Sequence, residues 1–173
     1  MAKPGTIIDN HPDVFPRNLW TEWVTFRGTT ARKIDNSKNR WSQHHDRIDF
    51  NSFGINLNTL RVEGYKTVSF YLQLNVRNTY PTASAGIYQR IWLYSSQLNS
   101  DVYLVSPRLE YPSTNKDWHD ISHFDLNFKD IPINSFMNNE FVIRYSAVAV
   151  KDNSKHNINW DNRNLRVQLL FSK

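Results

Sequence analysis

Residues 67–76 read TVSFYLQLNV, and apolar and polar side chains alternate along this stretch. Successive side chains of a β-strand point to opposite faces of its sheet, so the alternation predicts a strand with one face in a core. The same period of two recurs in 141–149 and 165–171. Shorter strands are predicted at 20–27, 47–50, 53–60, 87–94, 101–105 and 121–128, which gives about nine strands in all.

Turn-forming residues separate these strands, among them Glu63-Gly64 and Asn138-Asn139. Short strands with such punctuation, and no ten-residue stretch with a helical period, predict an all-β protein: an antiparallel β-sandwich of jelly-roll type. Residues 1–18 contain Pro4, Pro12 and Pro16 and show no period. We therefore expect an extended N-terminal arm over 1–18 and one sandwich domain over 19–173, with the arm lying on its own domain or on a neighbouring subunit.

The composition excludes several kinds of functional site. The chain has 173 residues, of which 39% are hydrophobic and 21% charged, and it contains no cysteine. Disulfides, thiolate catalysis and cysteine-ligated metal sites are thereby excluded. The start lacks the apolar segment of a signal peptide, and no stretch is long enough to insert in a membrane. We expect synthesis in the cytoplasm and a final place in a virion or an extracellular assembly.

Histidines and carboxylates are the remaining candidates for metal binding or catalysis. His119 and His123 have a spacing that converges only on a helix, and they are predicted to lie in a loop and on the outer face of a strand. His44 and His45 are adjacent, so an extended chain directs them to opposite sides. Carboxylates form two possible pairs, Asp46 with Asp49 and Asp117 with Asp120. Nucleotide-binding and nucleophile motifs are absent from the sequence, so we predict no catalytic residue, no metal and no cofactor.

A basic segment over residues 27–47 holds most of the net charge of +5. Basic side chains interleaved with an aromatic ring suit a polyanion, because phosphate attracts charge and a base stacks on a ring. The alternative is a solvated loop that aids solubility. Without a recognisable DNA- or RNA-reading motif, nucleic acid is an unlikely partner. The predicted polyanion contacts are Arg27, Arg32, Lys33, Lys38, Arg40 and Trp41.

The strand predicted at 87–94 is bulky on both faces. Its inward face has Ile87, Ile91 and Leu93. Its outward face carries aromatic residues, although the outer side of a sandwich strand is usually polar. Three explanations remain open: cover by the N-terminal arm, a contact between subunits, or stacking on a glycan. The outward residues are Tyr88, Arg90, Trp92 and Tyr94.

The C-terminal third carries a resemblance to a known family. Residues 140–145 read EFVIRY, and residues 160–164 read WDNRN. This order resembles the closing strands of the family 21 carbohydrate-binding modules, which bind starch and glycogen. In that family a strand of this type is followed by a W-D-N-N loop near the ligand. The resemblance implies a β-sandwich and places Trp160, Asp161 and Asn162 near a sugar.

These observations predict a non-enzymatic structural or interaction module. The preferred hypothesis is a self-assembling subunit of a virion, a phage tail or a surface appendage, with copies of itself or other subunits as partners. The alternative is a lectin-like carbohydrate-binding module that uses exposed aromatic side chains.

Overall fold

The computed structural model describes residues 7–8, 16–26, 32–34, 42–79, 87–94, 118–136, 138–149 and 158–173. Within these ranges, side chains are described for 16–26, 42–75, 90–94, 125–136, 138–148 and 162–173. The strands are β1 (Ile7–Ile8), β2 (Asn18–Thr21), β3 (Val24–Phe26), β4 (Arg32–Ile34), β5 (Ser42–Asp49), β6 (Thr67–Thr79), β7 (Ile87–Tyr94), β8 (Trp118–Pro132), β9 (Glu140–Ala149) and β10 (Ile158–Ser172). Two 3₁₀ turns (Phe50–Phe53 and Ile133–Ser135) and one short helix, α1 (Leu57–Val62), complete the described elements.

Two antiparallel sheets form the sandwich. Sheet A has the order β1-β2-β10-β6-β8, with β3 and β4 pairing farther along β10, and sheet B has the order β5-β9-β7. From β5 onward, each strand lies in the opposite sheet from the strand before it. This alternation between two antiparallel sheets, among the strands that the structure describes from β5 onward, is typical of a jelly roll, so the predicted fold class is confirmed.

The alternation in 67–76 has the predicted structural consequence. Val68, Phe70, Leu72 and Leu74 are at most 1% exposed, whereas the residues between Phe70 and Leu74 on the other face are half-buried. Strand β10 buries Leu165, Val167, Leu169 and Phe171 in the same way. The core therefore lies between the inner faces of the two sheets, which is what a period of two with one apolar face requires.

The strand predicted at 53–60 is wrong, because this segment contains the end of a 3₁₀ turn and most of α1. Asn56 caps the helix: its side-chain oxygen accepts hydrogen bonds from the backbone N–H of Asn58 at 2.9 Å and of Thr59 at 3.4 Å. Leu57 and Leu60, three residues apart, are both buried. A helix of six residues is too short to produce a readable period, so its cap was the better signal.

Contacts outside the helix hold α1 in place. The Arg61 guanidinium donates hydrogen bonds to the backbone oxygens of Ile133 at 3.1 Å and Phe136 at 2.6 Å. These bonds tie the helix to the segment that follows β8. None of the described helices is long and apolar enough to cross a membrane.

The single strand predicted at 20–27 is interrupted. Its residues form β2 and β3, which pair with successive parts of β10, while Glu22 and Trp23 lie between them. Strand β10 itself has an irregularity between Arg163 and Arg166, and Asn164 there has a φ of 53°. This irregularity does not face the gap between β2 and β3, which lies opposite Gln168 and Leu169. There the Leu169 N–H donates a hydrogen bond to the Thr21 side-chain oxygen at 3.0 Å, so a side chain takes the place of the backbone ladder.

Three further predictions concern the N-terminal arm, His119 and the strand at 101–105. Within the predicted arm, Ile7–Ile8 pairs with β2 of the same chain, so this part of the arm lies on its own domain. His119 was predicted in a loop, but it belongs to β8 and pairs with Asn78. The strand predicted at 101–105 lies outside the described residues.

Candidate functional site

The outer face of sheet B carries the aromatic strand that the sequence singled out. Ile91 and Leu93 are fully buried, so the alternate positions on β7 face outward. Arg90 is exposed, and Trp92 and Tyr94 are half-buried. The side chain of Tyr88 lies outside the described residues; its backbone pairs with Val148. Within residues 90–94, the side chains therefore face the predicted sides of the strand, and Trp92 and Tyr94 are less exposed than the pattern suggested.

Strand β9 explains part of that lower exposure. The Arg144 guanidinium carbon lies 4.6 Å from the centre of the Tyr94 ring, which is a cation–π contact, and Arg144 pairs across the ladder with Trp92. Val142, Ser146 and Val148 also face outward on β9, yet each is at most 4% exposed. The centre of this face is thus already withdrawn from solvent.

The glycan contacts predicted at 160–162 lie on the other sheet. Trp160, Asp161 and Asn162 belong to β10, in a strand and not in the loop that the family resemblance implied. Asn162 is only 2% exposed, so its side chain is not offered to an external sugar. The side chains of Trp160 and Asp161 lie outside the described residues. The predicted contacts on β7 and those on β10 thus belong to different sheets, and the glycan contact stays a prediction.

The basic segment is described only in part. Arg32 and Lys33 lie in β4, which pairs with β10 opposite Trp160 and Asn159. Arg27, Lys38, Arg40 and Trp41 lie outside the described residues, so the polyanion contact stays a prediction. Arg47, at the end of the segment, forms an exposed ion pair with Glu140 at 3.3 Å.

A polar cluster faces the core from sheet B. His44 is 7% exposed, and its ring stacks on that of the fully buried Tyr145 with centroids 4.8 Å apart. Asp46 follows on the same face of β5, and burial raises the pKa of its carboxyl although Tyr145 and His45 act to lower it. Burial, together with the Asp46 carboxylate, raises the pKa of the Tyr145 hydroxyl well above its usual value. His44 and Tyr145 are buried in this cluster, whereas Asp46 is half-buried.

The carboxylate pair Asp46 and Asp49 does not converge. Asp46 faces the interior, whereas Asp49 is exposed and accepts a hydrogen bond from the backbone N–H of Asn51 at 2.8 Å. General acid–base hydrolysis needs two carboxyl groups facing each other across a cleft, and this pair cannot supply that arrangement. Among the described residues, no group of three metal-ligating side chains comes together.

The structure reveals a surface that sequence reasoning missed, on the outer face of sheet A. Trp20 is 40% exposed, the most exposed aromatic side chain in the described part of the chain. Its ring lies 5.3 Å from that of Tyr71, centre to centre, at an angle of 38°. Leu170 pairs directly with Trp20 and is half-buried. The sequence signal was present, because Trp20 alternates with the buried Leu19, but the neighbouring Tyr71 is 51 positions away.

Polar groups continue this surface along β10. The Arg166 guanidinium carbon lies 5.2 Å from the centre of the Trp23 ring, and its Nη1 donates a hydrogen bond to Gln73 Oε1 at 3.1 Å. Gln168 Nε2 donates to the backbone oxygen of Thr21 at 3.0 Å. We call this surface the Trp20 face. It comprises the outer side of three cross-strand rows: Trp20–Leu170–Ser69, Gln168–Tyr71–Asn127 and Thr25–Arg166–Gln73–Asp125.

Comparison with known proteins finds similarity in fold alone. No model of a known protein family and no curated protein matches the sequence. Among solved structures, VP2 in the subviral particle of infectious bursal disease virus matches 96% of this chain at 11% identity with a TM-score of 0.52, and this chain spans 41% of that one. The BFDV capsid protein matches 88% of this chain and 100% of its own at 11% identity and a TM-score of 0.36. The tobacco streak virus coat protein matches 94% and 90% at 14% identity and a TM-score of 0.30. The first of these supports the jelly-roll fold assigned above; the other two lie at low similarity.

Proposed function

We propose that this chain is a structural, non-enzymatic subunit of a self-assembling protein shell such as a virion. The observation that carries the proposal is the likeness of its fold to VP2 of a subviral particle over 96% of this chain. A jelly roll is a sandwich of two sheets whose edges and loops are available to neighbouring subunits, which suits repeated packing in a shell. The chain covers less than half of VP2, so the manner of assembly is part of the proposal.

The described interior supports a structural role. Aromatic rings fill the space between the sheets: Phe50 alone has Phe70, Phe136, Phe141 and Phe171 within 6.4 Å, centre to centre. His44 and Tyr145, which stack on each other, are buried in the same sandwich. A rigid, filled core is useful to a subunit whose neighbours must meet it in a fixed geometry.

The proposal is tested by measuring the molecular mass of the purified protein in solution. Size-exclusion chromatography with light scattering, over a dilution series down to micromolar protein, should show discrete multiples of 20.5 kDa, and negative-stain microscopy should show uniform particles or oligomers. A stable monomer throughout the series, without partners, would overturn the proposal.

The polyanion contact in the basic segment, residues 27–47, is a separate hypothesis with its own measurement. Retention on heparin that falls steeply as salt rises would support it, because phosphate-type contacts release counterions. Retention that does not depend on salt would count against it.

A further inference from the structure

We propose that the Trp20 face binds a neutral oligosaccharide. This inference is independent of shell assembly: it assigns a ligand class to a surface that the proposed function leaves unused. It rests on the geometry of the aromatic rings, the charge of the face and the size of its exposed apolar area.

The aromatic rings supply the stacking surface. The π face of an aromatic ring is electron-rich and attracts the partly positive C–H groups on one side of a pyranose. Trp20 is 40% exposed, and Tyr71 holds it through the contact at 5.3 Å. Trp23, at the other end of the face, is half-buried against Arg166. The rings of Trp20, Tyr71 and Trp23 are thus spread along the face, which suits a chain of sugar rings better than a single small molecule.

Hydrogen-bonding groups accompany the rings. Gln73 and Asn127 lie beside Tyr71 and Arg166, with Gln73 half-buried and Asn127 exposed. An amide offers both donors and an acceptor, as a sugar hydroxyl requires. Gln73 is already oriented by Arg166 at 3.1 Å, so less side-chain entropy is lost when a ligand arrives.

The balance of charge on the Trp20 face favours a neutral ligand over a polyanion. The three rows contain one basic residue, Arg166, and one acidic residue, Asp125, and both are exposed. A polyanion gains affinity from an excess of cations, which these rows do not have. A neutral glycan needs no such excess.

The dimensions distinguish a glycan from a second protein. Leu170 and Arg166 are four residues apart on β10, so the face is about 13 Å long at ~3.3 Å per residue. The exposed part of Trp20 amounts to roughly 100 Å², taking a side chain of ~250 Å². A stable protein interface buries about 800 Å² on each partner around an apolar centre. One exposed ring with amide neighbours is small for that purpose and large enough for a sugar.

The test uses the full chain with maltohexaose, cellohexaose and chitohexaose as probes. Titration calorimetry and tryptophan fluorescence should detect binding of at least one probe below about 5 mM. Trp20→Ala should weaken that binding at least tenfold, and Trp20→Phe should restore part of it because a ring returns. Val62→Ala is the control: Val62 is 86% exposed on α1 and belongs to none of the three rows, so its truncation should leave binding unchanged.

Circular dichroism and the melting temperature of each variant separate lost binding from lost folding. Unchanged affinity in a folded Trp20→Ala variant overturns the proposal, as does failure of all three probes to bind. If the probes fail and Trp20→Ala also lowers the oligomeric mass, the face is a contact between copies of this chain. Loss of sugar binding with unchanged mass supports the proposal, and a monomeric wild type that still binds a probe refutes assembly alone.

Discussion

Phe50 joins the two sheets, and replacing it by alanine should be among the most damaging single changes in the core. Its side chain is fully buried. Its ring centre lies 5.1 Å from that of Phe141 in sheet B and 6.3 Å from that of Phe70 in sheet A. Phe136, at 5.7 Å, approaches edge-on. The substitution therefore removes contacts with both layers and leaves a cavity between them.

The expected loss follows from these contacts. A buried Phe→Ala change costs about 3–5 kcal/mol through lost transfer free energy and the cavity. Edge-to-face and tilted aromatic pairs add about 0.5–1.5 kcal/mol each beyond the buried area, although such terms are not additive. We place the loss for Phe50→Ala at about 4–5 kcal/mol of unfolding free energy, or a fall of roughly 8–20 °C in melting temperature for a domain of this size.

The assay is urea unfolding followed by tryptophan fluorescence, at two protein concentrations so that assembly does not alter the apparent stability. Phe26→Ala is the control: Phe26 is half-buried and contacts Phe53 at 5.8 Å, so the same change should cost only about 1–2 kcal/mol. A Phe50→Ala loss below about 2 kcal/mol, or one equal to that of the control, would refute this account of the core.

Two further predictions concern polar groups in the sandwich. Thr21 is fully buried and its Oγ1 accepts a hydrogen bond from the Leu169 N–H at 3.0 Å; Thr21→Val should cost about 1–3 kcal/mol by leaving that donor unsatisfied, whereas Thr21→Ser keeps the hydroxyl and should cost less. Equal chemical-denaturation midpoints for the valine variant and the wild type would contradict this. Burial raises the pKa of the Asp46 carboxyl above its usual 3.8, so the folded state binds this proton more tightly than the unfolded state. The associated stability is complete below the unfolded pKa and is lost as pH rises through the folded pKa; Asp46→Asn should remove that part of the slope, and an unchanged pH profile of unfolding would show that Asp46 does not cause it.

Local sequence patterns predicted the sandwich because successive side chains of a strand point to opposite faces, which depends only on neighbouring residues. Val68 and Phe70 bury because their neighbours Ser69 and Tyr71 face the opposite side of the same strand. His44 and His45 separate for the same reason, with one buried and the other exposed. At 53–60 the period of two predicted a strand, and this prediction was wrong because Asn56 caps a short helix there.

The surfaces were decided by pairings between distant parts of the chain. Trp20 meets Tyr71 only because β10 lies between β2 and β6, with Leu170 opposite Trp20 and Gln168 opposite Tyr71. Arg144 reaches Tyr94 only because β9 pairs with β7. Alternation along one strand tells which side chains share a face; it carries no information on which strand lies beside it. The sequence by itself therefore determined a two-layer β protein with a defined inner face, whereas long-range strand pairing decided which outward aromatic side chains stay exposed and which neighbours they meet.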